Sequence, residues 1–270
     1  MNRSAQMLSP TARKTLQSAA LTWFCVAAIG QLFFAYYIMI FYGGSALVGE
    51  WDRWTQRLIV GFTAEDALGN LQLVLHMLLA FIITVGGLLQ FIPAVRRYFP
   101  TFHRWNGRVY AVVAVLISLG ALYLTWARGM AGPVPQIGIS INGILIIAFA
   151  VMTARLAMKR DFVAHHRWAL RLFIVVSGVW FFRIGFGFWL VATGGTMPGV
   201  GPMLNGPFDY FLAFGCYGLP LVILEIYQRA RDGRSNALAF GAAGLVLTGA
   251  LVTGLGIYGA AMMFWLPNLA

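Results

Sequence analysis

Long apolar runs alternate with short polar breaks along the chain. A helix needs about 20 apolar residues to cross a bilayer. The pattern predicts seven such helices, at 18–42, 68–92, 107–127, 137–157, 168–192, 208–228 and 236–264. The first run is far longer than the ~7–15 apolar residues of a cleaved signal peptide. Two breaks are long enough to carry features of their own. In 43–67, Leu47, Trp51, Trp54 and Leu58 recur at helical spacing, and Glu50, Asp52, Arg53 and Arg57 take the other face. That amphipathic pattern predicts a short helix lying in the membrane interface. Segment 193–207, TGGTMPGVGPMLNGP, is uncharged and rich in Gly and Pro. It predicts an irregular loop, with the role of a lid over a cavity at that end.

Composition agrees with the pattern and sharpens it. Of 270 residues, 60% are hydrophobic and 10% are charged, against about 25% charged in soluble domains. An ordinary soluble enzyme, a disordered chain and a disulfide-rich secreted module are excluded. The expectation is an all-α, polytopic membrane protein forming a single domain over 1–270. Fifteen of the nineteen bases fall on one side of the seven spans. Only Arg53, Arg57 and Arg128 fall on the other, and Arg183 lies inside the fifth span. The positive-inside rule then predicts a cytoplasmic N-terminus, an external C-terminus and a place in the cytoplasmic (inner) membrane. The +11 net charge is thereby assigned to topology, and nucleic acid is not needed as a partner. Cys25 and Cys216 sit inside spans and read as packing residues. The last span has no lysine for a retinal Schiff base. Walker, GxSxG, HExxH and paired-carboxylate patterns are absent.

Two polar turns are copies of each other. RRYFPTFHRWNGRVY, Arg96 to Tyr110, aligns with KRDFVAHHRWALRLF, Lys159 to Phe173, at a shift of 63 residues with six of fifteen positions identical. The shared unit is H-R-W-x-x-R: His103, Arg104, Trp105 and Arg108 against His166, Arg167, Trp168 and Arg171. Apolar residues match by chance in membrane proteins, whereas His, Arg and Trp at fixed spacing do not. The repeat predicts two hairpins in the same orientation. They would make a duplicated four-helix core over 68–192, with 1–67 and 193–270 as flanking helices and loops. Thr101 is expected to cap the helix that carries the first copy.

An early span histidine (His76), then R-R-x-x-P-x-x-H-R-x-x-G-R-x-Y, then H-H-R-W-x-x-R (His165 to Arg171) resembles a bacterial membrane-protein family catalogued as domain of unknown function 2306. The resemblance covers roughly residues 70–190 and implies a polytopic bacterial membrane protein without assigning an activity. The architecture is more loosely similar to four-helix, haem-binding cytochrome b561-like proteins.

Two kinds of chemistry follow from the polar positions. A b-type haem needs two axial imidazoles, and His103 with His166 or His165 would come from equivalent repeat positions. Arg104, Arg108, Arg167 and Arg171 would then meet the propionates. His103 stands in the first turn of its helix, however, at the membrane surface rather than in the bundle core. The same residues, at two helix N-termini, equally suit a small anion or a lipid headgroup. They also suit plain topology and interface anchoring. A third site is expected in the other leaflet. His76, Arg183 and Asp209 reach similar depth and predict a polar ligand pocket beneath the 193–207 loop, or else an Arg–Asp pair that fixes register. Oligomeric state leaves no trace in the sequence.

Overall fold

The computed structural model describes residues 8–55, 61–129 and 132–269. All of its regular structure is helical. Helix α1 (Pro10–Tyr37) passes through a π-helical stretch, Ile38–Gly43, into α2 (Gly44–Val48). After α3 (Asp52–Thr55) come α4 (Ala67–Phe91), α5 (Pro93–Tyr98), α6 (Pro100–Ala127) and α7 (Pro133–Met158). Then α8 (Phe162–Val176), α9 (Gly178–Ala192), α10 (Pro207–Asp232) and α11 (Asn236–Ala260) complete the bundle. A π stretch, Ala261–Trp265, and a short 3-10 turn, Leu266–Asn268, follow.

Local chemistry sets most boundaries. Ser9, Asp66, Asp161 and Ser235 each cap a helix by accepting a backbone N–H with the side chain. Proline opens α1, α5, α6, α7 and α10, where its missing N–H costs nothing. Thr101 is not the cap of α6. Pro100 is already the first helical residue, and the Thr101 hydroxyl accepts from Arg104 Nη2 at 3.1 Å. The first span runs on to Val48, so Leu47 ends a long helix instead of lying in a separate interfacial one. Gly49, at φ 77°, stops it. Trp54 is buried against Tyr42 and Trp51 rather than spread on an interface. Arg3, Arg57 and Leu58 lie outside the described residues.

Among the described residues, six helices are long and apolar enough to cross a membrane. The predicted fifth span is instead two helices, α8 and α9, bent by 54°. The break falls at Ser177–Gly178, and Ser/Gly pairs are among the few causes of sharp kinks. Counting the bent pair as one span gives seven. Large apolar side chains on the outer faces, such as Ile29, Leu251 and Leu21, are more than 60% exposed, as lipid contact requires.

The helices pack in two groups that α10 joins, and the break passes the chain from one to the other. Ile83 of α4, Val113 and Ala114 of α6, Ile146 and Ala150 of α7, and Leu172 and Val175 of α8 form one apolar cluster. Helix α9 leaves that group for α10 and α11. There Gly187 meets the backbone of Gly256, Gly259 and Ala260 so closely that no Cβ fits. Helix α1 packs along α11 through small residues, Ala12 and Ala19 against Ala239, Ala242 and Ala243. Only part of the glycine content of α11 serves contacts, since Gly241, Gly244 and Gly249 face open space.

Candidate functional site

The two basic turns lie at one end of the bundle, and their repeat relation is visible in side-chain geometry. Arg108 sits over Trp105 at 4.8 Å, and Arg171 sits over Trp168 at 4.9 Å. Each hairpin is also tied from one equivalent position, Gln90 or Thr153, although the partners His103 and His165 are one residue out of register. Gln90 Nε2 donates to the His103 carbonyl at 3.1 Å. Thr153, 63 residues after Gln90, offers its carbonyl to His165 Nδ1 at 3.0 Å. A carbonyl only accepts, so that nitrogen carries the proton.

The copies differ in what neutralises them. Arg171 makes a forked pair with Glu225 of α10, 2.6 Å from Nε and 2.9 Å from Nη2. Arg167 pairs with Asp232 at 2.6 Å. Among the described residues, Arg104 and Arg108 meet no carboxylate. His103 Nδ1 is buried without a partner, and His166 lies against Phe91 at 6.5 Å.

A second site lies inside the bundle. A cavity of about 330 Å³ is lined from α1, α4, α6, α7, α8, α9 and α10, with the break at Ser177 and Leu204 of the 193–207 loop in its wall. That segment is irregular, as its composition predicts. Of the four histidines only His76 lines the cavity. His103, His165 and His166 do not, so the cavity offers no slot for a haem held by two of them. Among the described residues no three His, Cys, Asp or Glu side chains converge on a metal.

Several polar groups in the cavity wall share one depth. His76, Ser118, Asn142 and Arg183 each stand nine residues inside the same end of their helices, or about 14 Å. That is near the middle of a hydrocarbon core about 30 Å thick. In the cavity wall His76 Nδ1, Tyr110 OH, Asn142 Oδ1, Trp180 Nε1 and Tyr217 OH are all buried without a hydrogen-bond partner, Tyr110 nearer the basic end than the others. Gln31 Nε2 donates to the Ser177 hydroxyl at 3.0 Å across the break.

The expected trio of His76, Arg183 and Asp209 is split. His76 and Arg183 share the cavity, but Asp209 is not part of its wall. Asp209 is fully buried at the start of α10, where Oδ2 accepts the N–H of Gly201 at 2.7 Å and of Gly206 at 2.8 Å. The carboxylate is used to fold the loop back on the helix. Arg183 therefore has no Arg–Asp pair. Its guanidinium lies over Phe34 at 5.2 Å and donates to the Val179 carbonyl at 3.3 Å. No acidic side chain lines the cavity at all.

Residues 73–200 match a family described as a predicted membrane protein, DUF2306. No curated protein and no solved structure matches the chain. The DUF2306 stretch holds both basic turns, His76, the break at Ser177 and Arg183. Gln31 and Tyr217, which complete the cavity, come from α1 and α10 outside it. Sequence reasoning missed Gln31, Tyr110, Asn142, Trp180 and Tyr217. The Ser177–Gly178 pair, and amide side chains inside apolar spans, were the signals available for finding the site.

Proposed function

We propose that this multi-pass membrane protein is a non-enzymatic ligand-binding or transport protein whose site is the His76–Arg183 cavity. The observation that carries the reading is the group of buried, unpartnered polar atoms that converge on one cavity. Buried polar groups in folded proteins are nearly always hydrogen-bonded, so several orphans around one void call for a guest. A broken span beside a mid-depth site supports the same reading, because irregular backbone within a membrane is tolerated where it lines a cavity. Cytoplasmic-membrane location and a cytoplasmic N-terminus rest on the excess of bases at one end. An accessory anion or lipid-headgroup site falls to the first basic turn, where Arg104 and Arg108 have no acid, rather than to the second.

The competing reading is electron transfer through a b-type haem between His103 and His165 or His166. The bond from His165 Nδ1 to a backbone carbonyl would orient a ligating imidazole, but the bundle's large cavity lies away from all three. Native mass spectrometry of the purified chain, with its absorption spectrum, tests both readings. Small-molecule adducts that disappear in the cavity-filling variant Ala80→Trp are expected. A Soret band lost in His103→Ala would overturn the ligand-pocket reading.

A further inference from the structure

Resting on that reading of the cavity, we infer that its ligand is a singly charged amphiphile, a carboxylate at the head of an aliphatic chain. Charge sets the head. An arginine in the hydrocarbon region is costly unless a counter-charge meets it. Among the described residues no carboxylate pairs with Arg183, whose contacts are the Val179 carbonyl and the Phe34 ring. Six of the chain's eight acids are committed elsewhere: Asp66 to Arg128, Asp161 and Asp209 to helix starts, Glu225 and Asp232 to the second basic turn, and Glu50 to Arg53. Asp52 and Glu65 lie before α4 and do not line the cavity. The cavity wall holds one guanidinium and no carboxylate, so charge balance comes from outside the protein. One fixed cation matches one negative charge, which favours a carboxylate over a phosphate.

Shape sets the tail. Along α4 the wall runs from Leu73 to Thr84, and along α7 from Pro135 to Ile146. Each stretch spans about 16 Å at 1.5 Å per residue. The void is therefore long in the direction of the helices. Toward the basic end it is walled by Ile83, Ile146 and Phe173, which suits an unbranched chain, and the Tyr110 hydroxyl is the unpartnered polar group there. His76, Asn142, Trp180 and Tyr217 sit nearer the depth of Arg183. The indole N–H of Trp180 and the hydroxyl of Tyr217 are each at least nine-tenths buried and unpartnered. Both are donors, as a carboxylate oxygen needs.

The test compares laurate with lauryl alcohol and lauryl phosphate on the full chain in phosphatidylcholine nanodiscs, with empty nanodiscs as baseline. The wild type should bind laurate about tenfold or more tightly than the alcohol, the scale of a charge-assisted hydrogen bond. Arg183→Gln should reduce laurate to the level of the alcohol, and Arg183→Lys should keep part of the preference. Ala80→Trp should remove binding of both. Equal binding of laurate and alcohol by the wild type, with both lost in Ala80→Trp, overturns the anionic head and leaves the pocket standing. Tighter binding of lauryl phosphate overturns the carboxylate. Binding of neither probe, or laurate binding unchanged in Ala80→Trp, overturns the pocket itself. The wild-type comparison needs no variant to fold.

Discussion

Arg171 and Arg183 stand on the two halves of one broken span and have opposite settings. Each lies over an aromatic ring, Trp168 at 4.9 Å and Phe34 at 5.2 Å. Arg171 is then closed off by the forked Glu225 carboxylate, whereas Arg183 has one backbone carbonyl and an open cavity. The first arginine is spent on holding α8 to α10. The second is left unpaired inside the bundle, where an unpaired cation is costly. Residues that serve the fold tend to be satisfied within it, and residues kept unsatisfied point to a ligand.

Four perturbations break or sharpen that contrast. The largest effect is expected at Gly187, which locks the α9 half to α11. Gly187→Val has no room for its side chain and should cost about 3 kcal/mol or more, read as a lowered midpoint of unfolding in mixed micelles. Next is Glu225→Gln, which leaves Arg171 unpaired and should cost about 2 kcal/mol by the same assay. Arg108→Ala in the first basic turn removes a ring contact but no ion pair. It should cost only about 0.5–1 kcal/mol, clearly less than Arg171→Ala. Arg183→Gln is expected to leave the ligand-free protein as stable as the wild type or more so, because it removes a half-buried cation that no carboxylate meets. A loss for Arg183→Gln as large as that for Glu225→Gln would erase the distinction between the two arginines.

The spans and the duplicated turn were legible in the sequence, because apolar run length and His, Arg and Trp spacing are local signals. Arg171 and Arg108 repeat their tryptophan contacts as the repeat requires. The partners of those arginines were less legible. Glu225 meets Arg171 from another helix, and Asp209 was expected beside Arg183 but instead folds its own loop. Depth alone placed Asp209 and Arg183 together. It does not say which way a carboxylate turns, and two backbone N–H groups three and eight residues away were nearer. The break at Ser177 was hidden because the apolar run continues through it. Tyr110, Asn142 and Tyr217 each lie on a different helix, and only tertiary packing brings them to one void.

The most direct test of the central contrast is the unfolding midpoint of wild type and Arg183→Gln, measured with and without laurate. A ligand that binds only the folded state raises that midpoint. Laurate should raise the wild-type midpoint clearly more than that of Arg183→Gln, with the ligand-free variant at least as stable as the wild type. An equal laurate shift in both proteins would contradict the account, because Arg183 would then take no part in holding a ligand.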